Sequence, residues 1–258
     1  MDIRSWFSVE GRTVLVTGGS RGIGEMIVRG FVAAGAEVFI SARSADRCAE
    51  LADELSAQGR CSALPADLST PEGCEQLASA LRAQTNHLDV LINNAGATWG
   101  APLGEYPADG FDKVMDVNVR APFLLTQGLL DALRAAATEE DPARVIMIGS
   151  VDGLQVPMFD SFAYSASKAA VHMLTRHLGK VLAPDHITVN AVAPGLFPSK
   201  MTAFMFDHHE EQVLAAIPQG RAGRLEDIAG TCLYLASRAG AYTTGAVLPV
   251  DGGYGTLR

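Results

Sequence analysis

The strongest constraint on the fold of this chain is a strand, a glycine-rich turn and a helix in direct succession near its start. Thr13–Thr17 is small, β-branched and apolar, which predicts a short buried strand. The turn Gly18–Gly24 follows, and apolar residues then recur at helical spacing. This succession suits a pyrophosphate bound at a helix N-terminus. Because the spacing of Gly18, Gly22 and Gly24 differs from the usual G-x-G-x-x-G pattern, the turn alone leaves a plain structural role open.

Strands and helices are predicted to alternate along the rest of the chain. Further strands are predicted at Glu37–Ser41, Cys61–Ala66, Leu88–Ile92, Val145–Ile148, Thr188–Ala193 and Ala246–Val250. Helices are predicted at Gly22–Ala34, Ser44–Gln58, Thr70–Asn86, Phe111–Ala137, Ser161–Ala183 and Leu225–Ser237. The alternation predicts an α/β fold, a doubly wound parallel sheet (Rossmann fold) with helices on both faces. We expect residues 1–258 to form a single domain, since single cores stop growing at about 250–300 residues.

Three irregular segments are expected to form the walls of a substrate cleft. They are Thr98–Gly110, Asp152–Asp160 and Phe197–Gly223, and each follows the carboxyl end of a predicted strand. Ligands bind at that edge of open α/β sheets.

Composition excludes some classes of partner. The net charge of −9 argues against nucleic acid or an anionic membrane as the main partner. The four cysteines form no C-x-x-C pair, and the first residues have no apolar signal region. We therefore expect a cytoplasmic protein with reduced thiols. We expect no metal site, because the adjacent His208 and His209 would face different ways on a helix.

Three polar residues predict proton-transfer chemistry. Tyr164 and Lys168 are four residues apart, so on a helix they share one face, and Ser150 ends an apolar strand before them. We expect the Lys168 ammonium to favour the phenolate and to lower the pKa of Tyr164. Such a phenol donates a proton to a carbonyl oxygen or accepts one from an alcohol, while the Ser150 hydroxyl holds that oxygen. This chemistry needs a hydride carrier.

Together these motifs resemble the short-chain dehydrogenase/reductase family. Besides the glycine turn, Asn93–Gly96 is similar to its Asn-Asn-Ala-Gly motif, and Pro194-Gly195 to its turn beside the nicotinamide. The motifs follow family order from Thr13 to Gly253. Within the family, the chain looks closest to bacterial NADPH-dependent 3-oxoacyl reductases of the kind associated with rhamnolipid producers.

The resemblance implies roles for individual residues. The catalytic residues would be Asn118, Ser150, Tyr164 and Lys168. It implies that Asn118 bends its helix and holds a water that connects Lys168 to solvent. The cofactor-binding residues would be Gly18, Ser20, Arg21, Gly22, Ile23, Gly24, Arg43, Asp67, Leu68, Asn94, Ala95, Gly96, Tyr164, Lys168, Pro194, Gly195, Phe197 and Ser199.

Charge at the end of the second strand predicts the cofactor NADP(H). NAD-binding relatives carry a carboxylate there for the ribose hydroxyls. This chain has Arg43 instead, and Arg21 lies in the glycine turn. Two guanidinium groups fit a 2′-phosphate. The alternative is that both arginines are solvated surface residues.

We therefore expect an NADPH-dependent reductase of a ketone to a secondary alcohol, with a 3-oxoacyl thioester or a small ketone as its substrate. A sugar or polyol dehydrogenase is an alternative, and a non-catalytic NADP(H)-binding scaffold is a second.

By resemblance, family members that dock acyl carrier protein use two basic residues for this contact. The aligned residues here are Leu124 and Asp185, which carry no positive charge, so we expect this chain to bind that acidic partner poorly. The role of Asp152 stays open between contact with a polar substrate group and capping of a loop. By resemblance, the chain would form a homo-oligomer, a tetramer, through the helices near Phe111–Ala137 and Ser161–Ala183.

Overall fold

One parallel sheet forms the centre of the molecule. The structure is a computed structural model that describes residues 3–157, 159–199 and 202–257, and seven strands of this part pair in the order β3-β2-β1-β4-β5-β6-β7. The strands are β1 (Thr13–Thr17), β2 (Glu37–Ser41), β3 (Cys61–Ala63), β4 (Val90–Asn93), β5 (Ala143–Ile148), β6 (Ile187–Pro194) and β7 (Val247–Val250). Every neighbouring pair is parallel. The strand order reverses at β1, so a crevice opens between the carboxyl ends of β1 and β4.

Helices cover both faces of the sheet. They are α1 (Gly22–Ala33), α2 (Ala45–Leu55), α3 (Pro71–Gln84), α4 (Ala108–Met115), α5 (Ala121–Gly128), α6 (Leu130–Ala136), α7 (Phe162–Leu182), α8 (Ala203–Ala215) and α9 (Leu225–Ala236). The predicted fold class is confirmed. None of the helices in the described part of the chain has both the length and the apolar character that a membrane span requires.

Local sequence explains where several helices begin. The Ser44 hydroxyl accepts a hydrogen bond from the Arg47 amide and caps α2. The Thr70 hydroxyl does the same for the Gly73 amide in α3, where Pro71 occupies the first helical position. These caps satisfy amides that have no partner within the helix.

Alternating side chains of β1 divide the core into two layers. Val14 and Val16 pack with α1 and α9 on one face of the sheet, whereas Leu15 packs with α3, α5 and α7 on the other. All three side chains are fully buried. Strands buried on both faces have continuous apolar runs, as the sequence of this sheet does.

The predicted helix Phe111–Ala137 is wrong as a single element. The chain instead forms α4, a π-helical turn over Asp116–Arg120, and then α5 and α6. Pro122 lacks an amide hydrogen, so it cannot donate to the carbonyl group of residue 118 as a continuous α-helix requires. The π-helical turn contains one residue more than an α-helical turn, which accommodates this loss, and Asn118 lies within it.

Two other predicted boundaries also changed. The segment predicted to be irregular at Phe197–Gly223 contains α8, which the sequence pattern missed because residues 207–212 are all polar and give no apolar periodicity. Strand β3 ends at Ala63 instead of Ala66, although the Leu64 and Ala66 amides still donate to the Ile40 and Ala42 carbonyl oxygens.

Candidate active site

Glycine is required in the turn that follows β1. Gly18 has φ +64°, and a Cβ atom built on it would lie 2.9 Å from the Cα atom of Ala95. A Cβ atom on Gly24 would collide with the Gly18 carbonyl oxygen. The turn therefore packs backbone against backbone and leaves the N-terminus of α1 open at the carboxyl edge of the sheet.

Thr17 and Asn94 lock this turn to the end of β4. The Thr17 hydroxyl accepts hydrogen bonds of 3.0 Å from the amides of both Asn94 and Ala95. In return, the Asn94 side chain donates to the carbonyl oxygens of Thr17 (2.9 Å) and Gly18 (3.0 Å). The side-chain nitrogen of Asn94 therefore binds the backbone of the turn and holds its shape.

Ser150, Tyr164 and Lys168 lie at the carboxyl end of β5. Ser150 follows that strand, and Tyr164 and Lys168 share one face of α7. The Lys168 ammonium lies 5.4 Å from the centre of the Tyr164 ring and donates a 2.8 Å hydrogen bond to the Ile148 carbonyl oxygen. Ser150 and Lys168 are buried, and Tyr164 is half-buried. The three side chains form one cluster at this edge of the sheet.

Asn118 joins this cluster from the π-helical turn. Its amide nitrogen donates to the Ala97 carbonyl oxygen (3.0 Å) and to the Ser167 hydroxyl (2.9 Å), while its carbonyl oxygen accepts from the Ala97 amide (2.8 Å). A Cβ atom on Gly96 would lie 3.5 Å from the Asn118 oxygen and 3.9 Å from the Lys168 nitrogen. Gly96 therefore leaves space between these two groups.

The expected lowering of the Tyr164 pKa is wrong for the free protein. Burial of the phenol raises the pKa of Tyr164 to about 12, because the phenolate would lose its hydration. The Ser150 hydroxyl partly offsets this rise, and the Asp152 carboxylate adds to it. In the free protein, Tyr164 is therefore a phenol that holds its proton.

Burial also lowers the pKa of Lys168 and the pKa of His172, which lies one turn farther along α7. Burial lowers the pKa of Lys168 from 10.5 to about 8, although the Asp152 carboxylate favours its charged form. Burial and the Lys168 charge lower the pKa of His172 to about 4, so this imidazole is neutral near pH 7. His172 lies against Gly149 and Gly153, where a Cβ atom would meet its ring.

Arg21 and Arg43 lie beside the crevice and are both exposed. The Gly19 amide donates to the Ser41 carbonyl oxygen (3.2 Å), which joins the glycine turn to the end of β2, two residues before Arg43. The Ser69 amide donates a 3.0 Å hydrogen bond to the Asp67 carboxylate, and this bond lowers the pKa of the carboxyl group. The Arg43 charge lowers the same pKa further. Among the described residues, neither arginine forms an ion pair with a carboxylate.

The chain after β6 lies over the glycine turn. A Cβ atom on Gly22 would be 3.3 Å from the Cβ atom of Ser199, and a Cβ atom on Gly195 would lie 2.7 Å from the Cα atom of Asp251. Pro194 ends β6, and the Phe197 ring is buried against Gly223. Only the backbone of residue 197 is therefore available to a cofactor.

Three further predicted cofactor residues have side chains packed into the protein. Leu68 and Ser20 are buried, and Ile23 packs on the core beneath α1. Their backbone groups, not their side chains, are what they could offer to a ligand in the crevice.

A family profile and a known relative both match most of this chain. A family profile described as enoyl-(acyl carrier protein) reductase matches residues 18–255. The chain is 51% identical over 251 residues to the rhamnolipids biosynthesis 3-oxoacyl-(acyl-carrier-protein) reductase of Pseudomonas aeruginosa, covering 96% of this chain and 98% of that protein. The chain belongs to the short-chain dehydrogenase/reductase family.

A solved structure and one further relative are also similar to this chain. The solved Pseudomonas aeruginosa RhlG/NADP active-site complex matches with a TM-score of 0.94 at 51% identity, covering 97% of this chain and 99% of that one. The 2-dehydro-3-deoxy-D-gluconate 5-dehydrogenase of Pseudoalteromonas atlantica is 34% identical over 252 residues, covering 96% of this chain and 97% of that protein. The predicted family is confirmed, and the chain is an oxidoreductase of this family.

Sequence reasoning missed several residues that shape this short-chain dehydrogenase/reductase site. Thr17 directly precedes the glycine turn and binds the end of β4, and Ser167 bonds both Asn118 and the Tyr164 carbonyl oxygen. His172 lies eight residues after Tyr164, a spacing that places it on the same helix face. That spacing was the available signal for His172.

Proposed function

We propose that this protein is an NADPH-dependent reductase that converts the ketone of a 3-oxoacyl thioester to a secondary alcohol. The observation that carries the proposal is the cluster of Ser150, Tyr164 and buried Lys168 beside the crevice at β1 and β4. A scaffold that only bound a nucleotide would have no chemical use for a lysine held in a site that lowers its pKa to about 8.

The residues of the site have different roles in this reaction. NADPH, when bound, supplies the hydride. Tyr164 donates its proton to the carbonyl oxygen, and the Ser150 hydroxyl holds that oxygen as negative charge develops on it. The Lys168 ammonium, 5.4 Å from the Tyr164 ring, stabilises the phenolate that remains after transfer. The hydrogen bonds of Asn118 fix the backbone at Ala97, close to Lys168.

The crevice fits a dinucleotide with a 2′-phosphate. The turn at Gly18–Gly24 has no room for side chains at Gly18 or Gly24, so its backbone amides can approach a pyrophosphate closely. The exposed Arg43 follows β2, where NAD-binding relatives have a carboxylate, and the exposed Arg21 lies in the glycine turn, so both guanidinium groups can bind that phosphate. We assign the adenine end to Asp67 and the carboxamide end to Ser199.

The Arg43→Ala variant should lose affinity for NADPH and keep its affinity for NADH. A charge-assisted hydrogen bond contributes about 1.5–3 kcal/mol, so the dissociation constant for NADPH should rise about 10- to 100-fold. Fluorescence titration of both cofactors measures the ratio. Arg60→Ala, which removes an exposed arginine at the edge of the sheet, is the matched control. Equal weakening of NADPH and NADH would remove Arg43 from phosphate recognition.

A sugar or polyol substrate is the second candidate, because the relative from Pseudoalteromonas atlantica is named as a dehydrogenase of a sugar acid. A panel of acetoacetyl-coenzyme A, ethyl acetoacetate and keto-sugar acids, assayed with NADPH and NADH, separates the candidates. We expect the thioester to give the highest kcat/KM. A keto-sugar acid with the highest value would favour the second candidate, and the absence of turnover on the whole panel would favour a non-catalytic scaffold.

The acyl group should react about as well on coenzyme A as on acyl carrier protein. At the two positions where carrier-docking relatives have basic residues, Leu124 packs against the core and Asp185 accepts hydrogen bonds from Arg134 at 2.8 and 3.0 Å. No positive charge stands at either position to speed encounter with an acidic carrier. The Pseudomonas aeruginosa relative carries acyl carrier protein in its name, so the comparison is informative.

Both acetoacetyl thioesters should be compared at low and at moderate salt. We expect kcat/KM for the two to agree within about threefold, with little effect of salt. A carrier-linked substrate that is preferred by about tenfold, with the preference fading in salt, would contradict this and would point to a basic patch elsewhere.

We also propose a homo-oligomer in the cytoplasm. Large apolar side chains are exposed on α4, α5 and α7, namely Phe111, Phe123, Phe162, Met173 and Val181. Covering such side chains is a common reason for assembly. The four cysteines are free thiols, which fits a reducing compartment. Light scattering separates a 27.2 kDa monomer from a tetramer.

A further inference from the structure

The chain that follows β7 connects three parts of the proposed site. This C-terminal segment, residues 251–257, begins at Asp251, directly after the last strand. A Cβ atom on Gly195 would lie 2.7 Å from the Cα atom of Asp251, and the Gly195 amide donates a 2.9 Å hydrogen bond to the Val250 carbonyl oxygen. The start of the C-terminal segment therefore supports the turn that is proposed to lie beside the nicotinamide.

The C-terminal segment also packs against the loop that carries Ser150. The next residue of that loop, Val151, is buried in a small apolar cluster with Tyr254 and Ile217. A Cβ atom on Gly255 would lie 2.8 Å from the Cβ atom of Val151, so the backbone of the C-terminal segment lies directly against this side chain. The position of the loop after β5 therefore depends on the C-terminal segment.

The chain that leaves α8 is the third part in contact with the C-terminal segment. The Gln219 amide donates a 3.1 Å hydrogen bond to the Gly252 carbonyl oxygen. A Cβ atom on Gly252 would lie 2.8 Å from the Ile217 side chain, and a Cβ atom on Gly253 would lie 3.0 Å from the ring of Pro218. Both glycines have positive φ angles, 59° and 88°, which other residues rarely adopt. The backbone of the C-terminal segment is thus shaped to fit the end of α8.

The carboxylate of Asp251 holds the C-terminal segment in this shape. It accepts hydrogen bonds from three backbone amides, those of Gly253 (2.9 Å), Gly255 (2.8 Å) and Thr256 (3.1 Å). The Thr256 hydroxyl lies 3.3 Å from each of its two oxygens. Hydrogen bonds to an ionised acceptor are stronger than bonds between neutral groups. All the hydrogen bonds that this carboxylate forms within the described residues stay inside the C-terminal segment, so Asp251 acts on the site through the backbone of that segment.

We propose that Asp251 is a positioning residue that holds the Ser150 loop and the turn at Gly195 in the relative positions that hydride and proton transfer require. This inference rests on the proposed function. Without the carboxylate, three amides lose their common acceptor, and the C-terminal segment packs less firmly against Val151 and Gly195. Because a displacement of about 1 Å in the reacting groups can lower a rate by about 10²-fold, this loosening reduces turnover while the glycine turn still binds the cofactor.

Asp251→Ala is the test, and Asp251→Asn is a milder variant that keeps the shape and one acceptor oxygen. The first readout needs no turnover. We expect the amides of residues 149–157 and 213–220 to exchange hydrogen at least about tenfold faster in Asp251→Ala than in the wild type. The second readout is steady-state kinetics, with kcat counted per NADPH-binding site. In Asp251→Ala, kcat should fall about 10- to 100-fold, while KM and the dissociation constant for NADPH stay within about threefold of wild type. Asp251→Asn should lie between the two proteins in both readouts.

Asp89→Ala controls for a general loss of stability. The Asp89 carboxylate also accepts a hydrogen bond from a backbone amide, that of Thr13 at 2.8 Å, but at the amino edge of the sheet. This variant should keep wild-type exchange in residues 149–157, and its kcat should stay within about twofold of wild type.

Three results overturn the proposal. They are unchanged exchange in both Asp251 variants, a rise in KM without a fall in kcat, and a loss of kcat in Asp89→Ala as large as in Asp251→Ala. If Asp251→Ala does not fold, Asp251→Asn decides by the same criteria. A wild-type protein without turnover would instead count against the proposed function, and hydrogen exchange would still decide whether Asp251 holds the Ser150 loop.

Discussion

Tyr164→Phe should lower kcat by about 10²- to 10⁴-fold, the usual loss when a positioned proton donor is removed. The phenyl ring fills the same space on α7 beside Lys168, so the fold and the cofactor crevice should be unchanged. The proton that the carbonyl oxygen requires is absent, and water has to supply it. Steady-state kinetics with acetoacetyl-coenzyme A, together with titration of NADPH binding, measure the two effects separately.

Tyr242→Phe is the matched control for this substitution. Tyr242 is fully exposed, so the same chemical change there should leave kcat within about twofold of wild type. A Tyr164→Phe enzyme that kept more than about a tenth of the wild-type kcat would mean that another group donates the proton.

Lys168→Met should inactivate the enzyme and stabilise the fold. Burial lowers the pKa of Lys168 from 10.5 to about 8, so holding its charge inside the protein costs free energy of unfolding at neutral pH. Methionine removes that charge but leaves the Ile148 carbonyl oxygen without its donor. We expect the free energy of unfolding to rise by about 1–2 kcal/mol at pH 7, and kcat/KM to fall by about 10²-fold or more.

The pH dependence of this stabilisation follows from the sign of the shift. Between pH 8 and 10.5, the unfolded chain binds the Lys168 proton more strongly than the folded protein does. The wild-type protein therefore gains stability from this group as pH rises through that window, and the advantage of Lys168→Met should fade there. Chemical denaturation at pH 7 and pH 9.5 measures the difference. Lys180→Met, at an exposed position of α7, is the control, and equal effects of both variants at both pH values would contradict the account.

Much of the fold could be predicted from the sequence because its elements obey local rules. The strand at Thr13–Thr17 has the predicted bounds, and α7 differs by one residue at each end from the predicted helix. In both, apolar periodicity and the flanking residues act together. Helix α8 was missed because its middle is polar, and the break before α5 was missed because its cause is the single Pro122 within a helical pattern.

The candidate site was predictable in its residues but not in its electrostatics. The spacing of Tyr164 and Lys168 gives their shared helix face, and the structure brings Ser150 and Asn118 beside them. Burial, which sets the pKa of Tyr164, depends on the packing of residues that are far apart in the chain. For the same reason, the sequence left the role of Asp152 open.

Transfer of deuterium from NADPH to substrate tests the central claim most directly. The wild-type protein would be incubated with acetoacetyl-coenzyme A and NADPH labelled at the transferring position, and the product analysed by mass spectrometry and NMR. We expect one 3-hydroxybutyryl-coenzyme A for each NADPH consumed, with a single deuterium on the carbon that carried the ketone. A product without that deuterium, or no product while the cofactor binds normally, would contradict the assignment of this chain as a ketone reductase.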